Sequence, residues 1–223
     1  MTAQVMSSEK LFSAVLSFKI ILTVLPFLIV SSLLIAFMAL NARGARRLCL
    51  DVCINLPIVF PPIGIGFMLV CLFGKEGLVG KHVGIDLMFS FSGLVLAAFI
   101  TGVPFVAQTT VAGIDGSVAR LCEASYTMGK GKMETFLRVV LPLLKTNIIA
   151  GTLLAVARIL GEVGISLMIG GNIHGKTNTI SLEIYNAVLD GEHREAMTLS
   201  VFLIVFSTAI FSVIKLLGRQ ERG

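Results

Sequence analysis

The sequence predicts an all-α membrane protein that crosses the bilayer about five times, and three observations carry that prediction. Of its 223 residues, 56% are hydrophobic and 14% charged, with a mean hydropathy of +0.94, more apolar than one water-soluble core requires. The apolar residues fall in long runs, and a membrane helix takes roughly 20 of them. The run Val52 to Phe73 carries neither charge nor alternation, whereas strands of a membrane barrel are segments of about 10 residues that alternate in polarity. A barrel is therefore not expected, and the remaining chain is too short for a separate soluble catalytic domain. The whole chain, 1–223, reads as one transmembrane domain.

The first span is the charge-free run Ile20 to Leu40, limits near 17–41, with Leu11 to Lys19 able to extend it and Pro26 expected to kink it. No basic region precedes it and the basic Arg43-Gly44-Ala45-Arg46-Arg47 follows it, so it reads as a retained anchor and not as a cleaved signal peptide. The second span is Val52 to Phe73, near 50–73. Its Pro57, Pro61 and Pro62 remove backbone donors, which is tolerated where neighbouring helices or a wet cavity satisfy the freed carbonyls. The third lies within Leu87 to Ile114, near 87–112, with Pro104 expected to bend or end it. The fourth, Thr146 to Ile169, near 144–169, is interrupted by Arg158 and Glu162. The fifth is Ala196 to Ile214, near 196–217.

Five spans place the termini on opposite sides, and the basic residues choose between them. Arg43, Arg46, Arg47, Arg120, Lys130, Lys132, Arg138, Lys145, Lys215, Arg219 and Arg222 share one side, eleven in all; Lys10, Lys19, Lys75, Lys81, Lys176 and Arg194 make six on the other. The positive-inside rule puts the eleven in the cytoplasm, with the N-terminus outside and the C-terminus inside. The net charge of +5 thus needs no nucleic-acid partner. Cys49, Cys53, Cys71 and Cys122 show no C-x-x-C spacing, and His82, His174 and His193 are scattered, so no metal site is expected.

Two places carry candidate function. The first is the longest polar stretch, 113–143, whose pattern gives short helices separated by Gly129 and Gly131, with Pro142 able to start the next helix. Such an element lies across the membrane face, either as a solvated loop or as a surface that fits a partner's cleft. Arg158 and Glu162 form the second. Four apart, they share a helix face, roughly 20 and 26 Å along the fourth span from Lys145. A charge there should face protein or water. The pair sits at an outer gate or fixes the fourth helix beside it, or it is a structural ion pair that only locks helix packing. In the following loop, Gly171-Asn172 and His174-Gly175 read as turns.

Glu123-Ala124-Ser125, then Gly129, then Val139-x-Leu141-Pro142, resembles the E-A-A-x-x-x-G-x9-I-x-L-P loop of ABC importer permeases. Ser125 stands for Ala and Val139 for Ile. The resemblance implies that Glu123, Ala124, Ser125, Gly129, Leu141 and Pro142 belong to a coupling helix that docks into an ATPase. Leu56 to Phe67, Gly74 to Gly80, Ala157 to Gly164, and Gly170 to Ile180 with Ile184-Tyr185 resemble molybdate permeases; tungstate and, more loosely, sulfate permeases share some of them. The implied protein is a non-catalytic importer subunit for molybdate or tungstate, with sulfate or thiosulfate as the alternative and an ATP-independent carrier further off. Its implied partners are a second copy, a cytoplasmic ATPase dimer, an extracytoplasmic oxyanion-binding protein and membrane lipid. No cofactor is expected on this chain: it has no G-x-x-x-x-G-K-[ST], so ATP and Mg belong to the ATPase. Pro61, Pro62, Arg158, Glu162, Gly171 and Asn172 are the gate or pore candidates.

Overall fold

A computed structural model describes residues 2–83 and 87–220, and among them every regular element is helical. Arg222 lies outside the described residues, as do the side chains of His82 and Arg219. The first apolar run sits in one long helix, α1 (Thr2–Asn41), which continues through Pro26. After Gly44 come α2 (Ala45–Val59) and α3 (Pro62–Phe73), then the short α4 (Leu78–Val83) and α5 (Phe91–Ala112). The polar stretch forms α6 (Gly116–Thr127) and α7 (Lys132–Thr135), and a π-helical turn (Phe136–Val140) joins α7 to α8 (Leu141–Leu160). Short helices α9 (Gly164–Gly170) and α10 (Ile180–Leu189) precede the last, α11 (His193–Gln220).

Four helical runs are long and apolar enough to cross a membrane: Lys10–Asn41, Phe91–Ala112, Lys132–Leu160 and His193–Ser212. The bent pair α2 and α3, with 106° between its halves, is either a fifth, broken span or a re-entrant loop. The second span is therefore two helices where the sequence suggests one run. Pro57, Phe60 and Pro61 explain the bend: Phe60 and Pro61 take extended ψ values of 141° and 127°, and Pro62 begins α3 at a position where its missing N–H costs nothing.

Two other expectations need correction. Pro104 neither ends nor interrupts α5; it is buried in the helix that packs against α1, α2, α8 and α9, and that packing offsets the lost backbone bond. The fourth span is not one helix to Ile169. It stops at Leu160, so Glu162 lies in the link to α9 instead of on the same helix as Arg158. The main core joins Val24 and Leu28 of α1, Leu94 and Val106 of α5, and Ala155 and Ile159 of α8. A second cluster, at the other end of α1, gathers Ala36, Val118, Cys122, Phe136, Val140 and Leu144. Apolar residues of α11 such as Met197, Ile204, Val205 and Phe211 stay exposed, as expected of a surface that meets lipid.

Candidate functional site

The polar element is built from its caps inward. Asp115 Oδ1 accepts the backbone N–H groups of Ser117 (2.9 Å) and Val118 (3.0 Å), satisfying donors at the start of α6. The Ser117 hydroxyl, then the Val118 N–H, hold the Asp115 carboxyl below the usual carboxylate range. At the other end Gly129 has φ +80°, and its N–H reaches Tyr126 O (2.9 Å) while Lys130 N–H reaches Ser125 O (3.2 Å). That double bond pattern is a Schellman stop, which requires a left-handed residue.

α6 has two faces. Val118 and Cys122 point inward into the cluster with Ala36, Phe136, Val140 and Leu144, and Ser125 Oγ is 2.8 Å from Thr135 Oγ1 of α7, both residues buried. Glu123 and Ala124 are exposed, beside Leu121, Tyr126 and Met128. The motif residues thus divide: Glu123 and Ala124 face outward, whereas Ser125 and Gly129 hold the element in place. Leu141 is half-buried against the second core cluster and Pro142 is exposed. Pro142 stands in the first turn of α8, as expected, and the π turn joins that helix back to Lys132. A proline cannot bond to the carbonyl four residues back, and the wider turn immediately before it absorbs the mismatch. Lys130 Nζ (2.6 Å) and Arg138 Nη1 (2.9 Å) flank the Glu134 carboxylate; the Lys130 hydrogen bond chiefly holds Glu134 below the usual range.

The second candidate region lies where two broken helices meet. A cavity of about 60 Å³ is enclosed by Pro57, Ile58, Pro62, Ile65, Ile100, Thr101, Phe105, Arg158, Glu162 and Ile165. Arg158 Nη1 is 2.9 Å from Glu162 Oε2. Glu162, 3% exposed, also accepts the Ile165 N–H at 2.8 Å through Oε1. One carboxylate therefore neutralises the guanidinium and caps the start of α9, which is why the helix breaks there. Ser181 Oγ, donating to Leu160 O, covers the end of α8. Thr101 was not expected from the sequence: its Oγ1 is buried without a partner.

The structure brings Pro62, Arg158 and Glu162 to this cavity and leaves Pro61 exposed at the bend. Gly171 and Asn172 lie elsewhere. They form a left-handed turn, φ +69° and +51°, in which a Cβ on Gly171 would stand 2.3 Å from the Phe89 ring. Asn172 and Asn186 exchange amide bonds (2.6 and 3.2 Å), tying this turn to α10. Nearby, Lys10 pairs with Glu195 and joins α1 to α11. Among the described residues no three His, Cys, Asp or Glu side chains gather where a metal ion would sit.

Several helices long and apolar enough to cross a membrane, around a broken-helix cavity and with an amphipathic element at one end, have the architecture of a multi-pass membrane subunit. Residues 31–220 match the family of binding-protein-dependent transport system inner membrane components, and the chain belongs to that family. It is thus a multi-pass membrane protein and the membrane component of such a system. Among its relatives, the molybdenum transport system permease ModB of Escherichia coli K12 is 30% identical over 219 residues, 95% of this chain and 96% of that one. ModB of Azotobacter vinelandii is 32% identical over 193 residues, 85% of each chain. The probable transport system permease NifC of Clostridium pasteurianum is 33% identical over 175 residues, 77% of this chain; this chain spans 61% of NifC. The fold is that of an amino acid ABC transporter crystallised with histidines (TM-score 0.67, 15% identity, 98% of this chain and 97% of that one). A bacterial importer of the polysaccharide alginate is also similar (TM-score 0.61, 15% identity, 95% and 78%).

Proposed function

We propose that this chain is the translocation subunit of an ATP-driven importer of molybdate. The observation that carries the substrate is the likeness to molybdenum permeases along nearly the whole chain. Two copies enclose the path, because five helices from one subunit rarely do so alone, and a separate ATPase dimer binds the exposed face of α6. Glu123 supplies a fixed negative charge there, Ala124 permits close approach, and Leu121, Tyr126 and Met128 add apolar surface. The excess of basic residues on that side supports a cytoplasmic α6 and an external N-terminus.

ATP closes the ATPase pair, the two copies of α6 move together, and the cavity opens outward to a binding protein carrying the anion; hydrolysis returns it inward. The chain contributes the path and the mechanical link, and ATP and Mg stay on the partner. The test is uptake into proteoliposomes holding the permease and its ATPase, with molybdate, tungstate and sulfate each offered on a saturated binding protein. Molybdate uptake that needs ATP and is abolished by Glu123→Lys is the expected result. Uptake of sulfate alone would overturn the substrate, and uptake without ATP would overturn the importer reading.

A further inference from the structure

A polar stripe runs along α2. Arg47, Asp51 and Asn55 are spaced four apart and so share one helix face. Arg47 Nη1 donates to Ala39 O (2.9 Å) near the end of α1, and its Nε lies 3.3 Å from Asp51 Oδ2. Asn55 Nδ2 donates to Asp51 O (2.6 Å), and Gln108 Nε2 of α5 donates across to Asn55 Oδ1. Gln108 is exposed, and among the described residues its oxygen accepts no hydrogen bond.

Lipid does not suit this stripe. At 1.5 Å per residue Asn55 lies about 12 Å beyond Arg47, and Gln108 about 6 Å inside the end of the run Phe91–Ala112, which is long and apolar enough to cross a membrane. Amide groups left open in hydrocarbon are costly, so this face meets water or protein. The apolar surface of α11 treats its polar groups differently. There the exposed Thr208 and Ser212 turn their hydroxyls back onto the carbonyls four residues before, at 2.7 and 2.8 Å.

The stripe also leads somewhere. Pro57 and Phe105 line the cavity of Arg158 and Glu162. Asn55 is two residues from Pro57 and Gln108 three from Phe105, both toward the end of the molecule that carries α6. An ion pair cancels its own charge at either end of this route, Arg158 with Glu162 and Arg47 with Asp51. Between them stand neutral amides, whose N–H groups can meet an acceptor-only anion without holding it tightly.

We propose that Asn55 and Gln108 line a water-filled cytoplasmic half of the path and donate hydrogen bonds to the tetrahedral oxyanion as it leaves the cavity. The inference rests on the importer reading above and adds to it an exit route and two residues that meet the cargo.

The experiment uses the full complex in proteoliposomes with molybdate-loaded binding protein, measuring uptake and binding-protein-stimulated ATP hydrolysis together. Gln108→Leu is expected to slow uptake about tenfold, as for loss of one hydrogen bond to a charged group, while ATP hydrolysis remains stimulated. Gln108→Glu slows uptake further, because it sets a negative charge in the way of an anion. A mere lock between α2 and α5 predicts the reverse order, since a carboxylate can still accept from the Asn55 amide turned over, whereas leucine cannot. A second measurement does not depend on leucine assembling. In a complex whose four native cysteines are alanine, Gln108→Cys is labelled by a membrane-impermeant anionic thiosulfonate added on the ATPase side; Ile204→Cys, on the exposed apolar face of α11, is not, because a thiol in lipid does not ionise. Greater uptake by Gln108→Glu than by Gln108→Leu, wild-type uptake by both, or loss of uptake and ATPase stimulation together in both overturns the exit route. So does labelling that fails at Gln108→Cys, which would place lipid or the second copy against this face, or that is equal at the two positions. If the unmodified complex carries no oxyanion at all, the importer reading falls first and this inference with it.

Discussion

Glu162 performs two tasks with its two oxygens, and they are separable by substitution. Oε2 faces Arg158 and Oε1 accepts the Ile165 N–H. Glu162→Gln keeps an acceptor for the N–H but leaves the guanidinium uncompensated, so it is expected to slow molybdate release: uptake falls while molybdate bound to the purified permease complex rises. Glu162→Ala removes both functions. Its expected loss of stability is about 2 kcal/mol, below the ~3–5 kcal/mol for breaking a fully buried pair, because the Arg158 side chain stays 36% exposed. Thermal unfolding in detergent compares the two. The buried pair Ser125 and Thr135 calls for a different experiment. Ser125→Ala, which restores the small residue of the resembling loop, costs about 1 kcal/mol by stranding the Thr135 hydroxyl; adding Thr135→Val recovers much of it, since removing both partners leaves nothing unpaired.

At the level of the element, α6 separates positions that set its shape from exposed positions proposed to meet a partner. Gly129→Ala puts a Cβ into open space, but at φ +80°. The expected cost is about 1 kcal/mol of conformational strain, seen as faster amide exchange at the end of α6. Glu123→Lys leaves exchange unchanged and abolishes ATP-coupled uptake. Acid acts on the Asp115 cap and on the ion pairs of Glu134. Asp115 and Glu134 are both held below their ordinary range, so their stabilisation is complete above it and is lost as pH falls through the lowered values. Amide exchange of 115–138 should therefore accelerate below about pH 4, and Asp115→Asn, which keeps a capping oxygen, should flatten that response. The polar element was legible because Asp115, Gly129 and Gly131 are local signals with local consequences. The break after Leu160 was not: Arg158 and Glu162 have the spacing of a helical pair, which hides that Gly161 caps α8 and that the Glu162 carboxylate instead accepts the Ile165 N–H at the start of α9. Thr101 was hidden for a related reason, since a threonine in an apolar run ordinarily bonds its own backbone.

Over the whole molecule, the two breaks lock onto each other. The bend between α2 and α3 brings α3 against α9, and the contact depends on missing side chains. A Cβ on Gly66 would lie 2.7 Å from Met168 Cβ and 3.1 Å from Ile165 Cα; on Gly164 it would lie 3.0 Å from the Ile63 nitrogen. The half-helices α3 and α9 thus pack closely as a pair, with the Arg158–Glu162 cavity between them and α5. Gly66→Val drives that body apart, since neither the Met168 Cβ nor the Ile165 backbone can rotate away, at an expected cost of about 1–3 kcal/mol. The α6 element, proposed to dock on the ATPase, packs in a separate core cluster at the other end of α1 and is left intact. The variant should therefore still bind its ATPase and hydrolyse ATP, yet carry little molybdate. Measured side by side in proteoliposomes, full uptake by Gly66→Val would mean that α3 and α9 separate during the cycle, and the path would then have to run between them.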